Sequence, residues 1–183
     1  IIVATGGEEY HPDEYLYGED PRVLTQLGLE NRIATAGNER FGSVVMIQCV
    51  GSRNDEHPYC SRMCCGEAVK NAVKIKEKDP DANVYVLYRD IRTYGLMEEH
   101  YRRAREAGVV FIRYEEENKP KVAKATSGGK DVLQVSVFEP TIQEDIIIDA
   151  DLLVLSAAVV APKENESLAK MLKVPVNEDG FFL

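Results

Sequence analysis

The chain has 183 residues, 44% of them hydrophobic and 29% charged, with a formal net charge of -9. That length and balance fit one globular domain of generous size with a real core. The acidity argues against a nucleic-acid partner, whose phosphates Lys and Arg would have to neutralise, and no apolar run approaches the roughly 20 residues that cross a bilayer.

Ile1 to Thr5 is an apolar run that predicts a buried strand. It ends at Gly6-Gly7, where a sharp turn or a close backbone approach calls for glycine. The sequence opens on this run with no basic-then-apolar leader before it, and it ends on Phe181-Phe182-Leu183, so it reads as an internal segment of a longer protein. Tyr10 to Pro21 is polar, aromatic and rich in turn formers, which predicts a loop. Asp20-Pro21 then reads as a helix start, with Val23, Leu24 and Leu27 at helical spacing.

Ser43 to Val50 is a continuous apolar run, as expected of a strand covered on both faces. A loop rich in Gly, Ser, Asn, Asp and Pro follows, from Gly51 to Pro58. From about Ser61 to Lys78, Ala68, Val69, Ala72, Val73 and Ile75 share one side and lysines the other, which predicts an amphipathic helix stopped by Asp79-Pro80. Asn83 to Tyr88 is a second buried strand, Leu96 to Ala107 a charged helix ending at Gly108, and Val109 to Ile112 a third strand. This alternation predicts an α/β fold, a Rossmann-like doubly wound parallel sheet. Lys121 to Ala125 and Val132 to Phe138 flank Thr126-Ser127-Gly128-Gly129-Lys130 and add an antiparallel β-hairpin. Ile146 to Ile148 and Leu152 to Leu155 read as short strands, and Ser167 to Leu172 as a short helix.

All four cysteines fall between Cys49 and Cys65. Without a secretory leader they read as ligands or redox thiols of a cytoplasmic chain, since a disulfide framework would staple distant parts. Cys49 stands at the carboxyl end of a parallel strand, Cys60 in the loop, and Cys64-Cys65 in the first turn of the next helix. Open α/β sheets bind ligands at this edge, and a helix N-terminus favours thiolates. A phosphate loop would occupy the same place as G-x-G-x-x-G; Gly51 and Gly66 do not fit that spacing, so a nucleotide is not expected here. An iron–sulfur cluster, a zinc ion and incidental thiols remain as readings, although the adjacent pair Cys64-Cys65 makes a poor zinc hook. Arg53 and Arg62 flank the loop and could offset thiolate charge or donate to cluster sulfurs. His57 lies in the loop as a polar residue or an alternative ligand. Arg89 and Arg92 follow the second strand, either as a solvated pair or where a 2′-phosphate would bind.

The stretch Val44 to Tyr94 contains V-V-M-I-Q-C-V-G-S-R-N-D-E-H-P-Y-C-S-R-M-C-C and V-Y-V-L-Y-R-D-I-R-T-Y-G. It closely resembles the A subunit of heterodisulfide reductases and the related quinone-interacting oxidoreductase subunits of sulfate reducers. Tyr15-Leu16-Tyr17-Gly18-Glu19-Asp20-Pro21-Arg22-Val23 and Ile1 to Gly6 resemble that family's flavin-domain flanks. The resemblance implies a thioredoxin reductase-like plan, an FAD domain interrupted by a pyridine-nucleotide-like domain. Residues 1–40 would leave the FAD domain past Gly6 and Gly7, 41–145 would form the Rossmann-like domain, and 146–183 would return. It further implies that Cys49, Cys60, Cys64 and Cys65 ligate a [4Fe–4S] cluster near the flavin. Electrons would pass between FAD and partner oxidoreductase subunits. The full-length protein would be the enzyme, the segment alone having little activity. The alternative, from another class, is an inert scaffold or zinc-stabilised docking module.

Overall fold

The computed structural model describes residues 1–35, 37 and 40–183. Its strands are β1 (Glu8–Glu9), β2 (Val23–Thr25), β3 (Ser43–Val50), β4 (Asn83–Tyr88), β5 (Val110–Arg113), β6 (Lys121–Ser127), β7 (Lys130–Glu139), β8 (Glu144–Ala150), β9 (Leu152–Ala157) and β10 (Val159–Val160). Its helices are α1 (Gln26–Thr35), α2 (Cys64–Lys78), α3 (Met97–Glu106) and α4 (Asn165–Leu172).

The central sheet has five parallel strands in the order β2-β9-β3-β4-β5. Its inner strands are apolar almost throughout because both faces are covered. On one face, Val44 and Met46 of β3 pack with Leu29 of α1, Ala72 and Ile75 of α2 and Ala104 of α3. On the other, Val45, Ile47, Leu153 and Leu155 pack against Leu133 and Val135 of a three-stranded antiparallel sheet, β6-β7-β8. The expected α/β fold with its parallel sheet is present, with helices on one face and an antiparallel sheet on the other. The expected hairpin is two strands of a larger unit, because β8 pairs along β7 from Ala150↔Leu133 to Glu144↔Glu139.

Two expectations need correction. Ile1 to Thr5 form no strand, and Ile1 and Ile2 are fully exposed. An apolar run becomes a strand only where neighbours take its backbone hydrogen bonds, and no described strand pairs with it. Val23 and Leu24 belong to a strand where a helix start was expected. The Asp20 carboxylate accepts the Arg22 N–H at 3.0 Å, an Asx turn that delivers the chain into β2, and α1 begins at Gln26. The strand expected at Leu152 to Leu155 is present and lies within the parallel sheet, between β2 and β3. The spans 1–40 and 146–183 therefore each give a strand to the sheet of the central span.

Candidate functional site

The chain runs β3 to β4 to β5 on one side of β3 and places β9 on the other. The strand order therefore reverses between β3 and β9, the position where open α/β sheets form a crevice at their carboxyl ends. The four cysteines come to this edge. Cys49 closes β3 in the left-handed region (φ +63°), where the pairing with β9 slips its register between Ile47 and Val50. The extra residue re-aims the strand end. Cys64 and Cys65 are buried in the first turn of α2, and the loop between carries the half-buried Cys60. Cys64 Sγ lies 3.7 Å from the Ala157 carbonyl at the end of β9. Cys65 Sγ lies 3.6 Å from the Asp90 carbonyl just past β4. All four are free thiols.

The loop is held from several sides. Tyr59 donates its hydroxyl to the Val159 carbonyl at 2.9 Å, and Val159 N–H donates to Ser61 Oγ at 2.9 Å. Arg89 donates to the Arg53 carbonyl at 2.8 Å and pairs with Glu116. Arg53 and Arg62 also take positive φ, of 58° and 63°. Such conformations in non-glycine residues cost energy and persist where the surroundings over-determine them.

The Arg53 guanidinium stands 4.0 Å from Cys49 Sγ and pairs with Asp90 at 2.8 Å. Arg92 joins Asp90 at 3.3 Å. Burial pushes the Asp90 carboxyl up, but Arg53 and Arg92 more than offset it and hold the group below its ordinary range. Burial raises the Cys49 thiol, against the pull of Arg53. It lifts Cys64 to about 12, helped by the negative charge that Cys65 and Cys49 would add. Cys65 is raised for the same first reason. As free thiols these are protonated at neutral pH and are poor nucleophiles; a soft metal centre would displace the protons.

Arg53 meets the thiols through its side chain, whereas Arg62 does so through its backbone N–H, 3.4 Å from Cys60 Sγ. His57 is tied to the loop itself, with Nδ1 2.9 Å from the Gly51 carbonyl and its ring between Tyr10 and Tyr59. Gly7 borders β10, where a Cβ would meet Val159 Cγ1 at 2.4 Å, whereas a Cβ on Gly6 would meet nothing within 4 Å. Reading the residues alone undervalued Asp90, which touches both the arginine of Cys49 and the thiol of Cys65. Tyr59 and Ser61 were missed. The one signal for all three was their position within or opposite the cysteine loop.

Among the described residues no three His, Cys, Asp or Glu side chains already stand within reach of a single metal ion. Four free thiols brought to one edge are nevertheless the soft donor set that an iron–sulfur cluster or a thiolate-bound metal would require.

The layered sheet with its crevice is a fold shared with solved oxidoreductases. Thioredoxin reductase of T. acidophilum matches over 97% of this chain and 49% of its own, with a TM-score of 0.56 at 15% identity. L-lysine 6-monooxygenase from Pseudomonas syringae matches over 95% and 49%, with a TM-score of 0.58 at 10% identity. No family model matches the sequence. Curated relatives do. The A subunit of H(2)/formate:CoB-CoM heterodisulfide,ferredoxin reductase from Methanococcus maripaludis is 40% identical across the whole of this chain. The iron-sulfur A subunit of CoB–CoM heterodisulfide reductase from Methanocaldococcus jannaschii is 42% identical, again across all of it. The chain belongs to the family of heterodisulfide reductase A subunits, and it spans about 30% of the length of these two relatives.

Proposed function

We propose that Cys49, Cys60, Cys64 and Cys65 ligate a [4Fe–4S] cluster that relays electrons to or from FAD in the full-length oxidoreductase. The observation that carries this reading is the convergence of four free thiols from a strand end, a loop and a helix start on the switch-point edge of the sheet. When bound, such a cluster supplies a one-electron carrier.

The chain's own residues prepare the place. The bulge at Cys49 breaks the regular pairing of β3 with β9 beside the crevice, Ser61 and Tyr59 latch the loop to β10, and Arg89 holds the loop backbone from the end of β4. Arg53, oriented by Asp90, offsets thiolate charge, and the Arg62 N–H donates to Cys60. Arg89 and Arg92 are engaged by Glu116, the Arg53 carbonyl and Asp90, which leaves them to the loop and not to a 2′-phosphate. Gly6 and Gly7 lie on the flavin side, where residues 1–40 leave the FAD domain and 146–183 return. Partner oxidoreductase subunits in the cytoplasm exchange electrons with the complete protein, and the segment alone has little activity. The name of the Methanocaldococcus jannaschii relative, an iron-sulfur subunit, supports the reading.

Anaerobic reconstitution with iron and sulfide tests it, with metal analysis, visible spectra and EPR. Four irons and four sulfides per chain are expected, with Cys60→Ser retaining less. Stoichiometric zinc without sulfide would sink the cluster reading. A Cys60→Ser chain that still assembled the whole cluster would sink the ligand assignment.

A further inference from the structure

Along β3, Val44 and Met46 share the face covered by the helices. Side chains alternate along a strand, so Gln48 is the next step on that face toward the carboxyl end. It is 1% exposed and immediately precedes Cys49. Its backbone carbonyl accepts the Tyr114 hydroxyl at 2.6 Å. Its side-chain amide, by contrast, has no hydrogen-bond partner among the described residues at either Nε2 or Oε1.

Gln26 and Asn71, buried on the same side, do better. Gln26 Nε2 donates to Ser156 Oγ at 3.1 Å and also lies 3.5 Å from Met46 Sδ. Asn71 Nδ2 donates to Gln26 Oε1 at 2.9 Å, although its Oδ1 has no partner among the described residues. Gln48 thus stands one step past Met46 on this face, next in sequence to Cys49. A buried amide idle at both ends bears the full desolvation penalty, which an apolar side chain of the same shape avoids. The described residues offer that amide no partner.

We propose that the Gln48 amide donates from Nε2 to the sulfur shell of the cluster held by the four cysteines, as a positioning residue that raises the cluster's electron affinity. The inference rests on the cluster reading above. Reduction adds one electron to the group with no bond made or broken, and an N–H donor stabilises the more electron-rich sulfurs.

Gln48→Met keeps length and volume while removing the amide, and Gln48→Leu is a second variant should the first assemble poorly. In the full chain, after reconstitution, both should take up iron and sulfide as wild type does. At a fixed solution potential each should be about tenfold less reduced, a downward shift of about 59 mV for one electron, read by EPR-monitored titration. The metal-free variants should be no less stable than metal-free wild type, since they lose an orphaned group. An unmoved potential in both variants, with wild-type cluster uptake, overturns the role of the amide and leaves the cluster reading standing. Wild type that takes up no iron and sulfide overturns both.

Discussion

Gly51 follows Cys49 by two residues, takes φ +71°, and carries the Tyr10 ring against its Cα; a Cβ there would stand 2.2 Å from Tyr10 Cδ1. Two separate requirements thus fall on one residue. Gly51→Ala should lose about 1–2 kcal/mol to the left-handed backbone alone, with the displaced ring adding to it. Combining it with Tyr10→Ala should remove the clash and leave the backbone share, which a double-variant cycle in urea separates. A Gly51→Ala chain within a few tenths of a kcal/mol of wild type would mean the loop is not held as described. The sequence made Gly51 visible only as a glycine that fails the phosphate-loop spacing. Its contact with Tyr10 depends on residues 41 positions apart meeting, which no local pattern announces. Cys49, Cys60, Cys64 and Cys65 were legible as a group because their spacing is short and their chemistry specific. Asp90 was not, because its role comes from Arg53 folding back across the sheet edge to meet it.

Helix α2 was legible almost whole. Its apolar side is periodic and its end is marked by Asp79-Pro80, and the observed helix stops at Lys78. The structure adds a second task for Asp79, whose buried carboxylate accepts the Phe41 N–H at 2.9 Å and pairs with Arg40 at 3.2 Å. It joins the far end of the cysteine-bearing helix to the entry of β3. Asp79→Ala leaves the buried Phe41 N–H without that partner, so a loss of about 1–3 kcal/mol is expected, measured by denaturant unfolding of the metal-free chain. A loss of a few tenths would assign the join to hydrophobic contacts alone. Strands β3 and β4 were legible for the same reason as α2: length and composition suffice for a doubly covered parallel strand. The placement of β9 was not. Leu152 to Leu155 announce a strand, but its neighbours, β2 and β3, begin more than 100 residues earlier, and local sequence does not specify such pairing. Val23 and Leu24 misled because three apolar positions suit a helix turn or a strand equally well, and the Asx turn at Asp20 decides between them.

At the scale of the molecule, the parallel sheet presents its crevice at one end while the β6-β7-β8 sheet closes the face opposite the helices. The two sheets share an apolar core, yet one polar seam joins them at the edge. Asp20 holds Arg22 through Oδ1 and Oδ2 at 2.9 and 2.8 Å, and Arg22 Nη1 continues to the Asp131 carbonyl near the start of β7 at 2.8 Å. Lys124 of β6 stands 3.6 Å from Asp20. On the same side Asp151 accepts the Ser43 N–H at 2.9 Å and pairs with Lys130. The hydrogen bonds from Arg22 hold the Asp20 carboxyl far below the usual carboxylate range despite its burial. Burial alone would raise Asp151, but Lys130 and the Ser43 N–H more than offset it. A carboxylate whose folded pKa lies below its unfolded value of about 3.9 contributes fully above that value. Its contribution is lost as pH falls through it toward the folded pKa. Wild type should therefore lose unfolding free energy steeply below about pH 5. Asp20→Asn should cost about 1.5–3 kcal/mol at neutral pH and show a shallower acid slope, so that the difference between the two narrows steadily as pH falls below about 4 toward the folded pKa of Asp20. Urea unfolding across that range checks it. Parallel slopes for the two proteins would show that Asp20 does not carry the acid sensitivity, and the joint between the sheets would then rest on their shared apolar core.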